Sequence, residues 1–280
     1  MNVSSSNSSA RSSSYMNRKS VIGLVLLFII SLTVSAVYHL PVSWLLTQDV
    51  VKSQIPPQVQ LNQSQGSLWQ GSSQLAVTSA KRPSRSTPFT HIGQVSWDLS
   101  LLSLLTTQIS VDTLWKLESS QVSGTIVSEL LSEKPFIKAS ELNGMIELPQ
   151  LLKLSKDDAL KAMPVKGRLE LENLSMELDL QQSWPTQLQG LITIQDLDIL
   201  GSALPAIEIT PSVKGGVIDL KLSGKAEGWI LVGNVTLLKN NQYRVNLKVV
   251  AKSPKQMPDW AALLKQQSPM VAVLNERGRW

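Results

Sequence analysis

From about residue 57 onward, hydrophobic positions recur with a period of two. Val59 and Leu61, Leu75 and Val77, and Val95, Trp97 and Leu99 each alternate with polar residues, as strands do when one face is buried and the other solvated. The alternation returns at Leu169 and Leu171, then at Met176, Leu178 and Leu180, with a phase slip near Asn173 that predicts a bulge or turn. It continues through Ile192 and Ile194, Leu197 and Ile199, Ile207 and Ile209, Ile218 to Leu222, and Tyr243 to Val249. Glycines 124, 144, 167 and 190 each open a strand-like run, 20, 23 and 23 residues apart. That interval suits two strands with their turns, so it fits a meander repeat and also an all-β chain without one. Helical spacing is scarce. Pro41 to Ile55 reads as one short amphipathic helix, with Trp44, Leu45 and Val51 in helical phase and Pro56-Pro57 halting it. Two more short helices are expected at Lys156 to Met163 and Asp259 to Gln267, and an exposed loop at Lys81 to Gly93. The pattern predicts a mainly β fold: an antiparallel, curved or elongated sheet or meander with a few short helices.

Upstream of these strands, Val21 to Leu40 contains 20 residues and no Asp, Glu, Lys or Arg. As a helix it would span about 30 Å, the thickness of a bilayer's hydrocarbon core. Arg18 and Lys19 precede it, whereas Asp49 and Lys52 cancel on the other side, which places the N-terminus in the cytoplasm. Tyr38 and Trp44 suit the far interface. A cleaved signal peptide ending at Val34-Ser35-Ala36 is the competing reading. The apolar stretch runs past that site, which favours an anchor, and either reading exports the body. The expected organisation is a low-complexity cytoplasmic tail (1–19), a transmembrane anchor (20–40) and an exported β-rich domain (41–280), which the resemblance given below would make periplasmic.

Composition sharpens the picture. Hydrophobic residues make up 42% and charged residues 17%, enough apolar surface to build a core. Cysteine is absent, which excludes disulfides and thiolate metal sites. The net charge of +5 suggests nucleic acid until its location is considered. Arg11, Arg18 and Lys19 leave 23 basic against 21 acidic residues in the remainder, a net of +2. So balanced a body has no phosphate-tracking field.

Candidate chemistry is sparse. Of the two histidines, His39 lies at the membrane boundary and His91 follows the proline-containing loop, where solvated rings are the simplest reading. The H-E-x-x-H, S-x-x-K and G-x-S-x-G patterns are missing, and Gly224-Lys225 is followed by Ala226 instead of a P-loop hydroxyl. Asp157-Asp158 suits the start of a helix. Glu170, Glu172, Glu177 and Asp179 alternate with leucines and belong on a solvated face. Eight tryptophans are present; Trp69, Trp97, Trp115 and Trp229 fall in or beside strands, as packing residues or as the lining of a lipid or partner groove. No catalytic, cofactor or metal residues are assigned. These positions describe a body that binds.

One set of landmarks is more specific. Pro56-Pro57 and Val59-Gln60-Leu61 lead into Gly66-Ser67-Leu68-Trp69-Gln70-Gly71, followed by Trp97-Asp98-Leu99 and a leucine-rich stretch from Leu101 to Leu105. Val122-Ser123-Gly124, Leu151-Leu152, a helix at Trp260 to Leu264 and a hairpin at Val271 to Gly278 complete the order. This arrangement resembles protein N of the bacterial general (type II) secretion pathway, over most of residues 20–280. The Ser-rich tail before Tyr15 has no counterpart in the resemblance.

The resemblance implies a non-enzymatic part of an inner-membrane secretion platform, without cofactor. Its partners would be other platform or secretin-linked subunits. Gly66, Leu68, Trp69, Gly71 and Trp97 would form its structural element, the glycines turning the chain while Leu68 and Trp69 plug a sheet end. A broader similarity to exported β-proteins that handle envelope lipids supplies the alternative, a lipid-binding or lipid-transfer protein.

Overall fold

The alternating segments pair into one antiparallel sheet. The computed structural model describes residues 27–29, 31, 32, 35, 39–78, 87–100, 103, 107–129, 136–153, 162, 164–182, 184–199 and 201–279. The chain divides into two units, Met1–Leu40 and Pro41–Trp280. In the first, residues 27–29, 31, 32 and 35 are helical. Most of the expected anchor lies outside the described residues. Among the described residues, no helix is long and apolar enough to cross a membrane.

The second unit opens on two six-residue helices, α1 (Val42–Thr47) and α2 (Asp49–Gln54), where one was expected. The break is local. The Thr47 hydroxyl and the Gln48 side-chain amide both donate to the Trp44 carbonyl, at 2.6 and 3.3 Å. The Gln48 backbone N–H turns to Leu45 instead, and Gln48 is extended. Side chains have displaced the helical bond.

The strands follow in chain order: β1 (Val59–Gly66), β2 (Gln70–Val77), β3 (Thr90–Leu99), β4 (Gln108–Leu117) and β5 (Ser120–Glu129). Next come β6 (Phe136–Glu147), β7 (Val165–Asp179), β8 (Trp184–Ile199), β9 (Ser202–Ala203) and β10 (Ile207–Lys214). The last are β11 (Val217–Lys225), β12 (Trp229–Leu238), β13 (Gln242–Ala251), β14 (Lys265–Ser268) and β15 (Val271–Arg279). Sequential strands are neighbours throughout, with two exceptions: β9 adds a short pairing beside β8, and β15 inserts between β13 and β14. The sheet is open, with edges at β1 and β14. His91, expected in a loop, lies in β3 opposite Ala76 because β3 begins at Thr90. The start of that loop, and almost all of the expected helix at Lys156 to Met163, lie outside the described residues.

The phase slip at Asn173 is a bulge inside one continuous strand. Asn173 has φ of +48°, and the β7–β8 register shifts between Glu172 and Ser175. A second shift in the same pair lies between Lys166 and Arg168, and further shifts interrupt β1–β2, β2–β3, β5–β6 and β6–β7. Bulges bend strands and increase twist. The glycine rhythm marks single strands, not pairs: Gly124, Gly144, Gly167 and Gly190 fall one each in β5, β6, β7 and β8. These strands are 10 to 16 residues long, so one strand plus its connection occupies the interval that shorter strands would have filled twice.

Among the described residues, no second sheet covers this one. Beyond ladder neighbours, the substantial contacts of the strands are with helices, and the largest fully buried side chain is Val249. A two-layer sandwich would bury leucines and aromatics completely. The densest packing is at one end, where Leu197, Ile207, Leu231 and Val249 are joined by Trp229, Trp260 and Leu148. Leu148 begins a helix that the sequence did not suggest, α3 (Leu148–Lys153). A buried polar clamp fixes it: the Ser120 hydroxyl donates to the Gln150 side-chain oxygen and accepts the Glu147 N–H, while the Gln150 amide donates to Glu118. The segment expected as a helix from Asp259 to Gln267 is shorter. A 3-10 turn spans Asp259–Leu263, and Lys265–Ser268 is drawn into the sheet as β14. Ladder bonds to β15 outweigh a helix too short to be stable alone.

Candidate functional site

Two regions stand out, a turn at the β1 end of the sheet and an apolar face running toward the other end. The turn contains the residues of the sequence element. Gly66 closes β1 with φ of +90°, a conformation that L side chains rarely adopt. The Ser67 N–H donates to the Gln70 carbonyl, and the Ser67 hydroxyl accepts the N–H groups of Trp69 and Gln70, each at 3.2 Å. This side-chain-capped turn brings Gly66 opposite Gly71. Gly71 in turn faces Trp97 on β3. The indole N–H of Trp97 donates to the Leu68 carbonyl at 3.2 Å, and the Leu99 N–H donates to that of Trp69. Gly66, Leu68, Trp69, Gly71 and Trp97 are therefore brought together. Leu68 differs from expectation: its side chain is exposed instead of plugging the sheet end, and its carbonyl makes the contact. A shallow cavity of about 460 Å³ beside Gly71 and Trp97 also includes Asp98 and Asp112, which stand opposite each other. Asp112 accepts from Thr125 and Asp98 from Gln70.

Gly71 has no room for a side chain. A Cβ there would lie 2.6 Å from both the Gln65 carbonyl and the Trp97 ring. Gly71→Ala is expected to destabilise the domain by about 1–3 kcal/mol, the cost of overpacking a fixed contact. A lower urea midpoint for the variant is the predicted reading. An unchanged midpoint would show that this turn yields.

The apolar face is visible in the register. Val95, Trp115, Val122, Gly144, Leu171, Ile192, Ile209, Leu222, Gly233, Leu247 and Leu274 stand opposite one another in successive strands from β3 to β15, omitting β9 and β14. Directly opposed residues share a face. One position along, Thr210, Lys221, Asn234, Asn246 and Asn275 form a polar row on the other face. The acidic residues of β7 follow the expected solvated side: Glu170 pairs with Arg168 at 3.2 Å and accepts from Gln195.

At the densely packed end the apolar face becomes a pocket of about 510 Å³. Its sheet wall is Leu197, Ile207, Leu222, Leu231 and Leu247; Ser202 and Leu204 flank it, and Asp259, Trp260 and Leu263 of the 3-10 turn close it. Trp260 meets Trp229 edge to face, with centroids 5.6 Å apart. Alternation had marked Leu197, Ile207, Leu222 and Leu247 individually as apolar, and helical spacing had marked Trp260 and Leu263. Their convergence depends on the register, and Leu231 carried no separate signal. Among the described residues no cluster of three His, Cys, Asp or Glu is suited to hold a metal ion.

No curated protein and no solved structure matches the chain. The family comparison does return a match: the model for Type II secretion system (T2SS), protein N aligns with residues 57–268, from just before β1 to the end of β14. Because that match takes in the Gly66–Gly71 turn, Trp97 and nearly the whole sheet, the chain belongs to the type II secretion system protein N family.

Proposed function

We propose that this protein is a non-catalytic component of the type II secretion machinery, acting by docking in the periplasm of a Gram-negative cell during export of folded proteins. Membership of the family is the observation that carries the reading. Val21 to Leu40 anchors the chain in the inner membrane. Residues 1–19 are cytoplasmic and residues 41–280 periplasmic. The uncharged apolar run with Arg18 and Lys19 before it supports this topology. Its partners are inner-membrane platform or secretin-linked subunits, with no nucleic acid involved. The Gly66–Gly71 turn, held by Trp97, is its structural element and sets the geometry of the β1 edge.

That edge favours docking by strand addition. Among the described residues β1 has a strand neighbour on one side only, and Val59–Gly66 contains no charged residue of the kind that usually protects an edge. Pro41 bridges its end at Ser67. A photo-crosslinker at exposed Gln60 of the full-length protein in its own cells is expected to capture another secretion subunit, and deletion should impair export. Undiminished export with no such adduct would end the docking reading. Alkaline extraction tests the anchor separately: the chain should stay with the membrane and begin at Met1, whereas a start at Val37 would mean cleavage. The alternative role in lipid binding or transfer is favoured by the apolar face, which no second sheet covers among the described residues. It is compatible with docking, since the face and the β1 edge are different surfaces.

A further inference from the structure

We infer that the pocket beneath the Asp259–Leu263 turn binds a single acyl chain of a membrane lipid. This rests on the lipid-binding reading and specifies its site and ligand. Seven of the ten lining residues are Leu or Ile, an eighth is Trp260, and only Ser202 and Asp259 are polar in character. At about 510 Å³ the pocket falls within the size range of small-molecule sites, which run from about 300 to 1,000 Å³.

The occupant follows from what the walls cannot do. A peptide segment entering here would bring backbone N–H and C=O groups, each needing a partner. The sheet wall offers none, because its backbone groups are spent in the ladders on either side of β10, β11, β12 and β13. The Trp260 indole N–H is buried, with no hydrogen-bond partner among the described residues, and its burial leaves it no accessible donor to the cavity. Water fares little better, since an ordered water needs two to four polar partners. A hydrocarbon chain needs no partner at all.

The position of the pocket agrees. Leu222 and Leu247 belong both to its wall and to the apolar row that crosses the sheet from Val95 to Leu274. Strands lie about 4.8 Å apart, so ten steps of that row extend about 50 Å along the sheet. The pocket thus covers one stretch of a long apolar track, toward its β15 end. At its rim, Leu263 is 82% exposed although it is apolar. Asp259 beside it is exposed and acidic, which disfavours an anionic head group at the mouth and keeps charge outside.

The test uses the full-length protein reconstituted in vesicles of phosphatidylcholine that carries a diazirine on one acyl chain. After irradiation and digestion, label is expected on peptides containing Leu231, Leu247 and Trp260. Leu222→Trp fills the cavity and should reduce that label at least tenfold, while label on residues 21–40 stays as an internal reference. Leu263→Asp puts a charge at the exposed rim without touching the core. It should also reduce pocket labelling, which covers the case in which Leu222→Trp fails to fold. A second arm supplies a diazirine fatty acid in unlabelled vesicles. Pocket labelling in the first arm supports the proposal. Labelling by the free fatty acid alone overturns the membrane-lipid assignment. Label confined to residues 21–40, or pocket label unaffected by both substitutions, overturns the site; the docking reading would be untouched by either result.

Discussion

Val249→Asp is expected to unfold the C-terminal part of the sheet. Val249 is completely buried in β13, opposite Leu231 on β12 and Ala272 on β15, within the cluster that includes Trp229 and Trp260. That cluster contains no cationic side chain to pair with a carboxylate, and its side-chain donors are the indole N–H groups of Trp229 and Trp260. An unpaired buried charge costs several kcal/mol, and removing one partner of a buried ion pair, a comparable situation, costs about 3–5 kcal/mol. Domains commonly have only about 5–15 kcal/mol in total. Val249→Ala separates the two contributions, since it leaves a small cavity without a charge and should cost about 2 kcal/mol. Urea denaturation followed by circular dichroism should place the three proteins in the order wild type, alanine, aspartate. If the aspartate variant matched the alanine one, water would be reaching this site and the cluster would be open.

Trp97→Ala has the next largest expected effect, at the opposite end of the sheet. The indole fills the space above Gly71 and its N–H holds the Leu68 carbonyl of the β1–β2 turn. Truncation of a tryptophan commonly costs about 3–5 kcal/mol, and half-burial places Trp97 toward the lower figure. Trp97→Phe keeps much of the packing but loses the hydrogen bond, which is worth about 1 kcal/mol. The pair with Gly71 gives a sharper test. Gly71→Ala should cost less in the Trp97→Ala background, because the ring contact is gone while the clash with the Gln65 carbonyl remains. Strict additivity would show that the two residues do not act on each other.

Which features were legible in advance depends on the range of the forces behind them. Most strands between Val59 and Val249 were readable because alternation is a local property: each side chain points to one face or the other whatever the neighbours are. No alternating run marked β4 or β12. The bulge at Asn173 was readable for the same reason, as a break in that alternation. The two helices at α1 and α2 were not, although their cause is also local. Thr47 and Gln48 are compatible with a helix by spacing, and only the geometry shows their side chains taking the Trp44 carbonyl. Leu148–Lys153 was missed because a six-residue helix carries too few periodic positions, and it is held by Ser120 and Glu118 from a distant turn.

The candidate sites divide in the same way. The Gly66–Gly71 element stands out in sequence because a left-handed glycine and a close approach to a tryptophan ring leave few residue choices. Its link to Trp97 is a register effect. The acyl pocket depends wholly on register and on the path of the chain after β13, which folds Trp260 and Leu263 back over Leu222, Leu231 and Leu247. By itself the sequence determined that the body is β-rich, apolar on alternate positions, nearly charge-balanced, and preceded by an uncharged apolar run, since all of these are properties of neighbouring residues. Only the tertiary structure decided that the strands form one open layer, with an apolar face that no other described strand covers and a pocket along it. Pairing partners and the single-layer arrangement of the described strands are set by contacts between residues far apart in the chain, and local periodicity carries no record of them.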